Sequence, residues 1–165
     1  MHMLQTTLKK SLLVFTMTCC CAASALAQER YTPSADGQEI ADRKSGLTWR
    51  RCAEGMSWKG KTCTGQAVFL SHAEAMARGK ANATPDQAWR LPTMKELSGV
   101  VAVREAEEGR AAIDPAVFPA TPPARFWTST PVGPGYFMFV GFVEGSVGEG
   151  TRNSPGALRL VRASK

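Results

Sequence analysis

Few residues of this chain could carry out covalent chemistry. Beyond residue 27 the sequence has a single histidine, His72, and two cysteines, Cys52 and Cys63. A Ser-His-Asp or Cys-His arrangement needs a histidine as its base. His72 lies in the first turn of a predicted helix with no partner motif beside it, so we interpret it as an exposed polar residue. One histidine and two cysteines are too few ligands for a zinc site. We therefore expect no metal, no cofactor and no catalysis.

The first 27 residues have the pattern of a signal peptide that is removed on export. Lys9 and Lys10 supply positive charge, and residues 11–23 form an apolar stretch that is too short for an ordinary membrane span. Ala25-Leu26-Ala27 is a small-residue cleavage site, which predicts a mature chain that begins at Gln28. We expect an exported protein, periplasmic or extracellular, with no membrane span after processing; a retained anchor is the alternative.

Removal of this leader changes the charge only slightly. The chain of 165 residues has 20 basic and 14 acidic residues, and without residues 1–27 it has 18 basic and 14 acidic ones, a net charge of +4. The remaining 138 residues suit one ordinary domain. A mild basic surplus permits an anionic partner without requiring one. We expect no nucleic-acid partner.

Cysteines of exported proteins usually pair, so we expect a disulfide between Cys52 and Cys63, with free thiols or half of a metal site as alternatives. Closing so short a loop should stabilise the fold by about 2–3 kcal/mol. Arginine presents a planar fork that matches sulfate or carboxylate, and basic residues cluster around this loop. The candidate ligand-binding residues are Arg50, Arg51, Trp58, Lys59 and Lys61. A solvated basic face, with Trp58 as a loop anchor, is the alternative interpretation.

Two helix starts can be recognised from capping-box spacing. Ser71 and Glu74 predict a short helix that runs to about Arg78 and stops at Gly79. Thr93 and Glu96 predict a second helix that ends near residues 108–109, with Leu97, Val100 and Val101 on one face.

The remaining elements are predicted to be strands and loops. Residues 28–39 are polar and are expected to form a flexible lead-in. Six prolines between Pro115 and Pro134 indicate turns and short extended pieces. Two helices and late strands predict an α+β domain. The predicted strands are Leu47–Cys52 after a turn at Gly46, Phe126–Thr130, Tyr136–Val143 covered on both faces and followed by a turn at Glu144-Gly145, and Ala157–Arg162.

Several segments are interpreted as structural rather than functional. Trp49, Trp89 and Trp127 are expected to be core residues. Within Trp89-Arg90-Leu91-Pro92-Thr93, Arg90 is expected to neutralise a buried carboxylate or carbonyl cluster, and Asp114 to bond local amides in a turn.

Together these segments resemble the Lcl C-terminal-domain family of exported bacterial proteins, long described as a domain of unknown function. The resemblance covers about residues 40–162, and we place the domain at 40–163. Ala88 and Leu70-Ser71-His72 depart from the family pattern, which often has an aspartate and an aromatic residue at these places. The matching pieces are Ser45–Cys52, Cys63–Gly65, Trp89–Thr93 with Glu96-Leu97, Ile113–Pro115 with Phe118-Pro119, Phe126–Thr130 and Leu158–Arg162.

The resemblance implies a C-type-lectin-like fold, with a small twisted antiparallel sheet, two helices and long irregular loops. The member that names the family is similar to adhesins that bind sulfated glycans, although one fold can carry many functions. The chain has no Glu-Pro-Asn loop for calcium-dependent sugar binding. It also has no cysteine after Cys63, which the similar formylglycine-generating enzymes require late in the domain.

We therefore expect an exported, non-catalytic binding module whose partner is an anionic or sulfated polysaccharide at the cell surface. The first alternative is a structural or assembly subunit of a surface complex that binds protein, and the second is an uncharacterised enzyme. The oligomeric state stays open.

Overall fold

The computed structural model describes residues 30–102 and 109–165, so the predicted leader and its cleavage site at Gln28 lie outside the described residues. Within these ranges the chain forms nine short strands and two helices, which confirms an α+β class, mostly β. In chain order the elements are β1 (Tyr31–Pro33), β2 (Glu39–Asp42), β3 (Leu47–Arg50), β4 (Met56–Trp58), β5 (Cys63–Gly65), α1 (His72–Asn82), α2 (Met94–Ser98), β6 (Arg125–Gly133), β7 (Tyr136–Gly141), β8 (Ser146–Thr151) and β9 (Val161–Ala163).

The described strands form three small antiparallel sheets, where the family resemblance led us to expect one. Their orders are β1-β2-β3-β9, β4-β5 and β6-β7-β8. The last strand therefore pairs with the third, with Trp49 opposite Val161. Isolated bridges connect the sheets to irregular chain, for example Arg90 with Val161 and Phe126 with Ala157.

Two hydrophobic clusters hold these elements together. The larger combines residues of the first and third sheets with residues of the irregular chain and includes Trp49, Phe126 and Phe142, all fully buried. The second contains Trp89 and Trp127 beside Ala75 of α1. All three tryptophans that we interpreted as core residues are at most 2% exposed.

Both capping boxes are confirmed, but both helix ends were predicted wrongly. Helix α1 continues through Gly79 to Asn82. A Cβ at Gly79 would lie 3.2 Å from the Leu91 nitrogen, so this glycine permits close packing and does not end the helix. Helix α2 ends at Ser98, and Val101 instead bridges to Ile113 in extended chain. Residues 103–108 of the predicted second helix lie outside the described residues.

Four expectations about strands also need correction. The described part of the expected flexible lead-in contains β1, whose Thr32 pairs with Ala41 of β2. Strand β7 is covered on both faces only at its end, because Tyr136 is 47% exposed whereas Val140 is buried. The turn at Glu144-Gly145 leads into β8, a glycine-rich strand that we did not predict. The closing strand begins only at Val161.

Glycines of β8 and the following segment make room for aromatic rings. A Cβ at Gly150 would lie 2.7 Å from Cη2 of Trp127, and one at Gly148 would lie 2.7 Å from Cζ of Phe139. A Cβ at Gly156 would also meet Trp127, at 2.7 Å from Nε1. The rings therefore lie directly over backbone, and larger residues at these glycines would displace them.

The buried segment before β9 carries a charged residue, Arg159, that is 0% exposed. Its guanidinium donates to the carbonyl oxygen of Arg50 at 2.9 Å, to that of Arg51, and to Oγ1 of Thr121 at 2.6 Å. It lies 4.8 Å from the centre of the Phe118 ring. Burial lowers the pKa of Arg159 to about 9. No described carboxylate pairs with this cation, so its two terminal nitrogens donate to neutral acceptors and an aromatic face covers it, whereas its buried Nε has no hydrogen-bond partner among the described residues.

Candidate binding site at the disulfide loop

The predicted disulfide between Cys52 and Cys63 is confirmed, with Cα atoms 5.6 Å apart and a sequence separation of 11. The loop that it closes contains most of the hairpin β4–β5, in which Trp58 pairs with Cys63. The tip is a tight turn in which the Lys59 amide donates to the Thr62 carbonyl at 2.9 Å. Gly60 has φ +78°, a conformation that glycine adopts without strain.

Lys59 and Lys61 flank this glycine at the tip of the hairpin. Both are exposed. Among the described residues, neither side chain has a carboxylate within ion-pair distance. Their two charges are therefore available to an external anion.

The two arginines of the predicted site are held differently, because both have partners within the protein. The Arg50 guanidinium lies 4.3 Å from the centre of the Trp89 ring and 3.5 Å from a carboxylate oxygen of Glu39. The Arg51 guanidinium donates to backbone carbonyls, including those of Val117 at 3.2 Å and Gly37 at 3.4 Å. Burial lowers the pKa of Arg51. The structure thus separates the four basic residues into two exposed lysines and two arginines with intramolecular partners.

Trp58 is the one tryptophan of the chain that is not buried. The Arg51 guanidinium lies over its ring at 3.8 Å from the centre, a stacked cation–π contact. A Cβ at Gly37 would lie 2.5 Å from the indole Nε1, so the ring edge packs against this backbone. These contacts make Trp58 an anchor of the loop and hold the rest of its ring in a defined position.

A depression of about 350 Å³ lies beside the disulfide. It forms where the disulfide loop meets the end of α1, the end of β3 and the residue before β2. Its lining is Gln38, Arg50, Cys52, Ala53, Glu54, Met56, Ser57, Trp58 and Asn82. The sequence interpretation included Arg50 and Trp58 but missed Gln38, Glu54, Ser57 and Asn82. Glu54 and Ser57 lie within the predicted disulfide loop, whereas Gln38 and Asn82 are far apart in the chain and meet the loop only in the fold.

None of the structural signature residues lines this depression. Arg90 forms two hydrogen bonds to the Glu96 carboxylate, at 2.8 and 2.9 Å. This contact holds the pKa of Glu96 at about 2 and raises that of Arg90. Asp114 accepts from the Ala116 amide at 2.9 Å. Leu91 and Pro92 are buried, and Thr93 caps α2.

The interpretation of His72 as an exposed residue is wrong. Its side chain is buried, with 4% exposure, and its ring stacks on Phe137 with 3.4 Å between ring centres. Trp127 meets it edge-on at 5.2 Å, and Nε2 lies 2.9 Å from the Thr128 carbonyl oxygen. Burial lowers the pKa of His72, the bond to the Thr128 carbonyl opposes this effect, and nearby Arg152 adds to it. Phe137 and Trp127 come from distant strands, so the sequence around His72 does not show its burial.

Two further structural findings concern metals and membranes. Within residues 30–102 and 109–165, no three histidine, cysteine, aspartate or glutamate side chains are grouped so as to hold a metal ion. No helix of the described chain is long and apolar enough to cross a membrane.

Fold and site together define a disulfide-bonded α+β domain, mostly β, with a polar depression beside an exposed basic hairpin. The chain belongs to the Lcl C-terminal domain family, whose model matches residues 38–162. No curated protein and no solved structure matches the chain.

Proposed function

We propose that this chain is an exported, non-catalytic module, on a C-type-lectin-like scaffold, that binds an anionic polysaccharide through the tip of hairpin β4–β5. The observation that carries the proposal is the pair Lys59 and Lys61, exposed beside Gly60 and without an acidic partner among the described residues. The disulfide and the signal-peptide pattern support export.

The covalent loop makes such binding physically reasonable. The disulfide and the hairpin pairing limit the backbone freedom of the tip, so less conformational entropy is lost when a polymer contacts both lysines. Exposed charges are screened by salt, with a Debye length of about 10 Å at 0.1 M ionic strength. We therefore expect weak binding that falls as salt is added.

A charge-reversal experiment tests the proposal. The double variant Lys59→Glu/Lys61→Glu changes the net charge by four units at exposed positions, so the fold should persist. Its matched control is Lys80→Glu/Lys95→Glu, which makes the same charge change on the exposed surfaces of α1 and α2.

Binding to immobilised dextran sulfate is measured for the parent and both variants, with uncharged dextran as the blank. We expect the hairpin variant to bind at least about tenfold more weakly than the control at low salt, a difference of about 1.4 kcal/mol. Equal binding of the two variants would show that net charge alone determines the affinity for dextran sulfate and that the hairpin is not the site.

The second candidate function is a structural or assembly subunit that binds protein. Exposed apolar side chains favour it, namely Phe69, Met76, Val132, Tyr136, Val143 and Val147, each between 43% and 55% exposed. If the parent protein binds no polyanion even at low salt, this candidate replaces the first.

A further inference from the structure

We propose that the depression beside the disulfide is a subsite for one uncharged, hydroxyl-rich sugar ring, next to the anion contact of the hairpin tip. This inference rests on the proposed function in that both ligands are saccharides. It assigns the ring to different residues, whose chemistry is unlike that of the two lysines.

The polar groups of the lining match hydroxyl groups, which both donate and accept. The Gln38 amide nitrogen donates to Asp36 at 3.1 Å, and the Asn82 amide nitrogen donates to the Arg78 carbonyl at 2.9 Å. These bonds fix the two amides and leave their side-chain oxygens without a described protein donor, as acceptors for a ligand. The Ser57 hydroxyl, which also has no described side-chain partner, can donate or accept.

The two charged residues of the lining already contact residues outside it. Glu54 lies 3.3 Å from Arg78. Arg50 lies 3.5 Å from Glu39, a carboxylate that also pairs with Arg162 at 2.7 Å, and 4.3 Å from the centre of the Trp89 ring. An anionic ring would therefore meet one cation of the lining, Arg50, which already contacts Glu39 and the Trp89 ring, and a cationic ring would meet no unpaired carboxylate of the lining. This balance favours an uncharged ligand, because a charged one would lose its hydration without a new ion pair.

The size and the apolar part of the depression fit a single ring. A volume of about 350 Å³ is at the small end of the range of roughly 300–1,000 Å³ for ligand sites. Trp58 and Met56 supply the apolar surface against which the C–H face of a sugar can pack. Arg51 and Gly37 hold the indole in place. The Trp58 side chain therefore loses little conformational entropy when the ligand binds.

The test uses a panel of uncharged mono- and disaccharides, including glucose, galactose, mannose, N-acetylglucosamine and their disaccharides. Binding is followed by saturation-transfer NMR at about 0.5 M NaCl, where screening removes most exposed electrostatic attraction. The test variant is Gln38→Ala/Asn82→Ala. Its matched control is Gln66→Ala/Asn153→Ala, which removes the same two amides from positions outside the lining.

We expect at least one uncharged sugar to bind the parent protein and the variant Lys59→Glu/Lys61→Glu equally. The same sugar should bind Gln38→Ala/Asn82→Ala at least about tenfold more weakly. The amide control should keep the affinity of the parent protein. The subsite is refuted if no uncharged sugar binds, or if the test variant binds as well as its control. Dextran sulfate binding at low salt, measured on the same samples, reports the proposed function separately. Either site can therefore fail while the other stands.

Discussion

Replacing the disulfide should destabilise the domain mainly through the unfolded chain. In the variant Cys52→Ser/Cys63→Ala, alanine is chosen at Cys63 because that side chain is 4% exposed and a hydroxyl there would be buried. For a sequence separation of 11, the loop-entropy relation gives about 3 kcal/mol at 25 °C. For a domain of this size, such a loss lowers Tm by about 10 °C.

Urea unfolding of the oxidised parent, the reduced parent and the variant measures this difference. The reduced parent and the variant should lose the same free energy of unfolding. Both should also have a larger m-value than the oxidised parent, because an uncrosslinked unfolded chain exposes more surface. An unchanged free energy of unfolding in the variant would refute the entropic reasoning. A loss well beyond about 5 kcal/mol would show that native packing around the bridge dominates.

Two further predictions concern the packing of α1 and β8. Burial lowers the pKa of His72 in the folded state, so as pH falls below about 6.5 the unfolded chain binds a proton more readily and the free energy of unfolding should decrease. Urea unfolding at pH 7.5 and 5.5 measures this decrease, which His72→Gln should lack. An identical decrease in the variant would contradict the burial argument. Gly150→Ala should destabilise the domain by about 1–3 kcal/mol, because its Cβ would meet the Trp127 ring at 2.7 Å. Gly133→Ala, where a Cβ meets nothing within 4 Å, is the thermal-unfolding control and should leave Tm nearly unchanged.

Features that depend on neighbouring residues could be predicted from the sequence. Ser71 and Glu74 are three residues apart, so their capping box could be identified without the fold. The cysteine pairing, confirmed in the structure, was predicted from the signal-peptide pattern, because cysteines of exported proteins usually pair. The capping box needs only local spacing, and the disulfide needs only that two cysteines remain to pair.

Features that depend on distant residues could not be predicted. The continuation of α1 through Gly79 depends on packing against Leu91, and the end of α2 depends on the bridge between Val101 and Ile113. Strand β8 has few of the β-branched residues that mark strands, because its glycines leave room for aromatic rings of β6 and β7. The depression combines residues from three separate parts of the chain, so only the fold brings its polar groups together.

Arg159 also fixes the register of the segment that leads into β9. Its neighbours Leu158 and Leu160 are both 0% exposed and pack with the second cluster. A slip of one residue would put the guanidinium among apolar side chains and leave the carbonyl oxygens of Arg50 and Arg51 without their donor. Such a slip would combine the cost of a desolvated charge with that of unsatisfied acceptors. Hydrophobic burial alone would distinguish poorly between alternative registers of this otherwise apolar segment. The single buried cation excludes the competing registers.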